Sequence, residues 1–353
     1  MRIRWSCDSN VRFGNNEDFC DFVVAGWQLI PPHDLRPPSS LLSIFLSVVS
    51  HCVSVGATAS IAVTYIVDLN GSGQYKTIQE AINAVPDNND KWYRILVKRG
   101  LYRIPVDDNR VERLRYERPF RAGWKPRPPN FNTETSATFT VQAENFVAKY
   151  ITFKNGHNLG GQKQPIAQAV AAVVRGDMAS FYNCGFVGVQ DTLFDGSGRH
   201  YYRDCYIEGT VDFIFGFAKT VFERCHVHST AGDRGGGYLT AQGRGSDSDT
   251  GGYVFKYCIV TGTGPTYLGR AWDSHARVVF YKSQFNGPIA PAGWDAWNHK
   301  DTVNTIFFAE QDCLGQGSGK SHRVSWERTL SGADLSLFTG DFNEGSTWIP
   351  QQP

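Results

Sequence analysis

From Val147 onward the chain alternates short apolar runs with polar turns, and the runs share one template. The segments are AKYITF, FYNCGF, YRDCYI, FERCHV, FKYCIV and FYKSQF. Aligning them places Ile151, Cys184, Cys205, Cys225, Cys258 and Ser283 at one position. An aromatic residue stands three places before it in all but the first, and an apolar residue two places after. The spacings are 33, 21, 20, 33 and 25 residues. Self-similarity at such a period means stacked units, each unable to bury its apolar face alone. Strand-like alternation, frequent glycine and no helical period between the runs select a parallel β-helix, an all-β fold. A β-sandwich is the competing architecture, but its strands have no reason to share one side-chain template. The longer spacings correspond to loops on one face, where a cleft would form.

Upstream, YIVDLNGSG reads as a strand and a turn, and Thr77-Ile78-Gln79-Glu80 has the form of a helix-starting capping box. Ile78, Ala81, Ile82 and Val85 lay an apolar stripe on a short helix over 77–85 that Pro86 ends. A second short helix is expected at about 333–338, so that both ends of the stack are capped and the chain acts as a monomer. Residues 1–40 show neither period. Leu41 to Val55 is apolar but too short and interrupted for a confident membrane span. Arg36 before it and Ala57-Thr58-Ala59 after it complete the parts of a secretory signal, the alternative being an incidental apolar loop. We therefore expect a signal-like, disordered extension over 1–60 and one folded unit over 61–353.

Composition agrees with many short strands and tight turns: 36 Gly, 23 Phe and 15 Tyr among 353 residues. Lys plus Arg (35) balance Asp plus Glu (34), so no global field points to a nucleic-acid partner. Any grip on a charged polymer has to come from the site itself. The aligned cysteines suit a buried ladder, since Cys is small and readily interred. Adjacent rungs leave a disulfide open, and the spacing is not that of a zinc site.

Asp191 lies seven residues after Cys184, and Asp212 seven after Cys205, so the two share a register in consecutive coils. Parallel strands about 4.8 Å apart would bring their carboxyls within roughly 5–7 Å. At about 5 Å and an effective dielectric of about 20, two such charges repel by roughly 3 kcal/mol. That favours one protonated and one ionised carboxyl near neutral pH, a proton donor beside a nucleophile. Gln190 precedes Asp191 and Gln168 opens a strand one coil earlier. Their amides could donate to a developing oxyanion, or merely satisfy turn backbone. Arg270 could hold Asp212 ionised and oriented, or serve only as a brace.

The run from Gly161 to Ala218, with QDTL and DFIFG, resembles the core of plant pectin methylesterases (pectinesterases). YLTAQGR, YLGRAW, PAGWDAW and RVSWERTLSGADLSLF extend the resemblance over nearly four-fifths of the chain. It implies a right-handed parallel β-helix that removes methyl groups from polygalacturonate esters without metal or organic cofactor. It further implies that Asp212 attacks the ester carbonyl, that Asp191 is the acid and then the base, and that Gln168 and Gln190 form the oxyanion hole. Arg270 matches the nucleophile's arginine partner. Trp272 and Trp294 match cleft tryptophans, and Phe139, Phe194 and Phe215 fall where cleft aromatics are expected, although a lone Phe is as readily core. Pectin as substrate, a proteinaceous inhibitor as partner, and secretion to the cell wall follow from the same resemblance.

The chain also departs from that pattern. Gly100-Leu101-Tyr102-Arg103-Ile104 carries Ile where the family has an acid. Residues 105–130 lose strand alternation in an arginine- and proline-rich stretch. This fits an altered reading frame better than a functional basic arm, so we expect poor order there. LGRAW and FGFA replace the commoner LGRPW and FGNA, with little effect expected. Sixty residues cannot hold the inhibitor-like helical pro-region of many relatives. Two other readings stay open: a pectin-binding β-helix with impaired catalysis, and a glycoside hydrolase using the same two carboxylates.

Overall fold

The computed structural model describes residues 2–4, 19–24, 59–86, 89–103, 133, 136–158, 166–232 and 235–353. Successive coils each contribute one strand to three long sheets. One coil runs through Ala179–Tyr182, Gly185–Val187 and Leu193–Asp195, and the next through Arg199–Arg203, Tyr206–Gly209 and Ile214–Gly216. They pair in parallel, with Phe181 opposite Tyr202, Phe186 opposite Ile207 and Leu193 opposite Ile214. The described strands form sheets of ten, eight and seven strands, and the architecture is a right-handed parallel β-helix.

The repeated template explains the stack. Its aromatic position becomes a column of rings, Phe181, Tyr202, Phe222, Phe255 and Phe280, with successive centroids 4.8, 4.8, 4.5 and 4.4 Å apart and nearly parallel. The column therefore rises by about one inter-strand spacing per coil. Phe153, Phe186, Ile207, Val227, Val260 and Phe285 fill the position after the cysteines, all buried. Between the two positions the chain turns a corner in the left-handed region at Tyr150, Asn183, Asp204, Arg224, Tyr257, Lys282 and Asp312. At this corner one left-handed residue breaks the strand alternation, so that the next side chain also faces inward.

The inward side chain is the cysteine. Cys184, Cys205, Cys225 and Cys258 are buried free thiols in register, and Cys313 adds a rung after Ser283 that the template alignment missed. Each thiol donates to a carbonyl on the preceding coil, as Cys205 does to Phe181 and Cys225 to Tyr202, both at 3.4 Å. Ser283 donates likewise to Phe255. The row thus selects a small side chain with a donor, not a pair of disulfide partners.

Short helices flank both ends. Helix α1 (Ile78–Asn83) has the expected capping box, with Thr77 Oγ1 accepting from the Glu80 N–H and Glu80 Oε2 from the Thr77 N–H. Ile78, Ala81 and Val85 join the interior core. Helices α2 (Gly332–Thr339) and α3 (Gly345–Trp348) lie instead along the outside of the ten-stranded sheet. Phe338, Phe342 and Trp348 cover the outward row Val221, Val254, Val279 and Ala309. No helix among the described residues is long and apolar enough to cross a membrane.

The N-terminal region differs from the expectation of a wholly disordered extension. Arg2–Arg4 and Phe19–Val24 are antiparallel strands within otherwise parallel sheets. The first sits between Leu101–Arg103 and Thr152–Lys154, the second between Trp92–Lys98 and Phe146–Lys149. Both occupy gaps where unpaired backbone groups of the neighbouring strands would otherwise be left over. The apolar run Leu41–Val55, Ile104 and the segment 105–130 lie outside the described residues.

Candidate active site

The outer face of the seven-stranded sheet carries a cleft of about 300 Å³. Its floor is the outward row Val173, Phe194, Phe215 and Ala241, in which Phe194 and Phe215 stack with centroids 4.6 Å apart. Asp191, Asp212, Gln168, Trp272 and Trp297 also line the cleft, with Trp297 stacked on the Arg270 guanidinium that is bonded to Asp212.

Asp191 and Asp212 are one rung apart. The Asp191 N–H donates to the Val211 carbonyl, and the flanking pairs Gln190–Val211 and Leu193–Ile214 fix the register. Both aspartates adopt left-handed backbone, with φ of 58° and 49°. Asp tolerates this region better than most residues, but each such corner still stores strain. The corner turns both carboxyls out of the strand alternation and toward the cleft they line.

Their environments are unequal. Both are buried, at 4% and 7% exposure. Burial, then the neighbouring Asp212 charge, pushes the Asp191 carboxyl up to about 7, against a hydrogen bond from Gln168 and the pull of Arg270. Burial also raises Asp212, but Arg270 opposes it at contact. The guanidinium donates through Nε to Oδ1 at 2.7 Å and through Nη2 to Oδ2, a bidentate pairing. Only Asp212 has a fixed cation on its carboxylate, so Asp212 is the member held ionised and Asp191 the member that keeps a proton toward neutral pH.

Arg270 is itself clamped. Its guanidinium carbon lies 3.7 Å from the Trp297 ring centroid and 4.5 Å from that of Tyr238. Asp295, opposite Arg270 in the ladder, holds the Trp297 backbone and the Tyr238 ring. One carboxylate oxygen accepts from the Trp297 backbone N–H at 2.8 Å, the other from the Tyr238 hydroxyl at 3.1 Å.

The structure brings Asp191, Asp212, Gln168, Phe194, Phe215 and Trp272 to one cleft, with Arg270 bonded to Asp212. Gln190 is directly opposite Gln168 in the ladder, one rung along. Two expected cleft aromatics are elsewhere. Trp294 is 1% exposed and stacks on Phe308 in the interior, because the strand Trp294–Asp295 turns its first residue inward. The cleft tryptophan of that segment is Trp297, three residues on, where a φ of 48° breaks the alternation. Phe139 also faces inward: it pairs with Ala172 in the core row and stacks on Phe153 at 4.6 Å. Tyr238 and Asp295 were missed, and the sequence carries no signal for them beyond their place in the repeat.

The pectinesterase family model matches residues 64–341. Probable pectinesterase 29 of Arabidopsis thaliana is 40% identical over 311 residues, covering 81% of this chain and 89% of that protein. Putative pectinesterase 10 of the same plant is 40% identical over 308 residues, covering 84% and 90%. Among solved structures, the pectin methylesterase from carrot superposes with a TM-score of 0.68 at 28% identity, covering 84% of this chain and 98% of that one.

Proposed function

The chain belongs to the pectinesterase family, and we propose that Asp191 and Asp212 are the pair with which it hydrolyses the methyl esters of pectin. The ionised Asp212 attacks the ester carbonyl carbon, and the electron pair of the C=O moves onto its oxygen. The amides of Gln168 and Gln190 donate to that oxyanion. Collapse expels methoxide, which takes the proton of Asp191 and leaves as methanol, so that an acyl–Asp212 anhydride and an ionised Asp191 remain. Asp191 then accepts a proton from water as the water attacks the same carbonyl carbon. Collapse of that intermediate expels Asp212 as the carboxylate and leaves Asp191 protonated, and the product departs as galacturonic acid, which gives its proton to solvent. No group outside the chain, the ester and water enters the balance.

The observation that carries this reading is the unequal pair: two buried carboxyls one rung apart, of which only Asp212 is held by a bidentate arginine. Phe194, Phe215, Trp272 and Trp297 supply flat apolar surface for sugar faces beside it. We also propose secretion to the cell wall, action as a monomer, with 61–353 as the unit that carries the whole site, and a proteinaceous inhibitor as a partner. The apolar run before Ala57-Thr58-Ala59 supports the first of these and a cleft built from one chain the second, while the inhibitor follows from the family resemblance.

The test is base titration and methanol assay on highly esterified pectin. Methanol and acid should appear in equal amounts without new reducing ends; chain shortening instead would make the protein a glycoside hydrolase. Asp212→Asn should lower turnover by at least about a thousandfold while polymer binding persists. Near-normal turnover in that variant would remove Asp212 from the role of nucleophile.

A further inference from the structure

Beside the row that floors the cleft runs a second outward row. It is registered by the buried residues just before it, Val174, Asp195, Gly216, Gln242 and Ala271, which are paired across successive strands. The residues that follow them, Arg175, Gly196, Phe217, Gly243 and Trp272, are therefore stacked in the same order. Large side chains alternate with glycine along this row, and the spacing has a consequence. Phe217 and Trp272 stand two rungs apart, about 10 Å by strand spacing, yet their ring centroids are 4.9 Å apart. The rings lean together over Gly243. A Cβ at that glycine would lie 2.5 Å from Phe217 Cε1 and 3.1 Å from Trp272 Cε3, so only glycine leaves them this position.

The pair is open to solvent. Phe217 is 45% and Trp272 38% exposed, large values for rings in mutual contact. It is also continuous with the catalytic cleft, since Trp272 lies 5.9 Å from Phe215 and Phe217 6.4 Å from Phe194. On its other side Phe217 borders a second cavity of about 310 Å³, whose wall presents Ser197, Arg199, Lys219, Asp177 and Glu344. Arg199 is paired to Asp177 and Glu344, and Lys219 to Glu344, so that wall is polar without a surplus of either charge. Flat exposed rings rimmed by paired polar groups match a pyranose unit, which has apolar C–H faces and a hydroxyl edge. The arrangement offers no advantage to a bare anion.

We propose that Phe217 and Trp272 form a stacking subsite for a sugar unit next to the one whose ester reacts, and that Phe217 thereby sets the grip on longer chains. The row lies two residues beyond Phe215 along the strand, about 6.6 Å, so a unit stacked there is distinct from one over Phe194 and Phe215. The proposal rests on the pectinesterase reading. It also revises the expectation that FGFA in place of FGNA has little effect, because Phe217 is the residue at that departure.

The experiment measures methanol release from methyl-esterified galacturonate oligomers of increasing length. Phe217→Ala should raise KM for long oligomers about three- to tenfold, the value of one aromatic contact. The effect should fall away on the shortest substrates, appear in KM and not kcat, and be reversed by Phe217→Tyr. Gly243→Ala, which pushes the two rings off their seat, should reproduce the same length-dependent rise. Equal KM at every length in Phe217→Ala, or a loss confined to kcat, would overturn the subsite. Wild-type protein that releases no methanol from any oligomer would instead defeat the pectinesterase reading. Calorimetric binding of the long oligomer to wild type and Phe217→Ala would then still decide the subsite, equal affinity overturning it.

Discussion

Replacing Asp191 with asparagine removes a proton donor and, with it, a titration that the folded state resists. The carboxyl rises from its ordinary 3.8 to about 7 on folding. A group whose folded value is raised holds its proton in the native state after the unfolded chain has lost it. Unfolding between these two values therefore releases a proton, and stability falls as pH rises from about 4 to about 7, then levels off. The full interval corresponds to an upper limit of about 4 kcal/mol. Water entry and relaxation at the open cleft reduce it, and about 2 kcal/mol is a realistic residue. Asparagine fills the same space without a charge. Asp191→Asn should therefore match wild type in denaturant unfolding near pH 4 and exceed it by about 2 kcal/mol at pH 8, with the gap opening across that window. Methanol release should meanwhile collapse, since the amide can neither protonate the leaving group nor activate water. The reasoning is refuted if the stability difference between variant and wild type is the same at both ends of the pH range. A variant less stable at pH 8 than wild type would mean that Asp191 is stabilised, not penalised, when ionised.

Asp295 is a positioning residue, and its removal should act through Arg270. Asp295→Ala frees the Trp297 backbone N–H and the Tyr238 hydroxyl, and with them the two residues whose rings clamp the arginine. The expected loss is about tenfold in kcat with a smaller change in KM, accompanied by altered tryptophan fluorescence; unchanged kcat would show that the rings hold Arg270 unaided. The thiol ladder should be inert, because Cys184, Cys205, Cys225 and Cys258 are all buried in the interior, where an alkylating reagent does not reach them. Peptide-mapped iodoacetamide labelling should reach Cys184, Cys205, Cys225 and Cys258 only after denaturation, and rapid labelling of native protein would contradict the packing described.

How much was legible depended on whether a feature repeats. The stacked aromatics and cysteines recur once per coil, and a parallel ladder converts equal register into contact. Asp191 and Asp212 could thus be paired before any coordinates, as could the capping box of α1. Cys313 follows the same rule and was missed because its own run, AEQDCLG, lacks the template's aromatic.

Trp294 and Trp297 show the limit. They are three residues apart in one short segment, and composition favours neither. A single left-handed corner sends Trp297 to the cleft and leaves Trp294 in the core. Phe139 and Phe194 likewise differ only in which side of a strand they occupy, and a displacement of one residue exchanges the sides. The union of Tyr238, Arg270, Asp295 and Trp297 spans sixty positions of sequence and exists only when three coils are stacked. By itself the sequence determined the coil, its period, the ladder within it and the two aspartates on one register, because each follows from a local pattern repeated at strand spacing. The tertiary structure alone decided which rings face the cleft, how Arg270 is held, how Phe217 meets Trp272 over Gly243, and where the N-terminal strands insert. Those depend on corners and on contacts between coils, which no local period encodes.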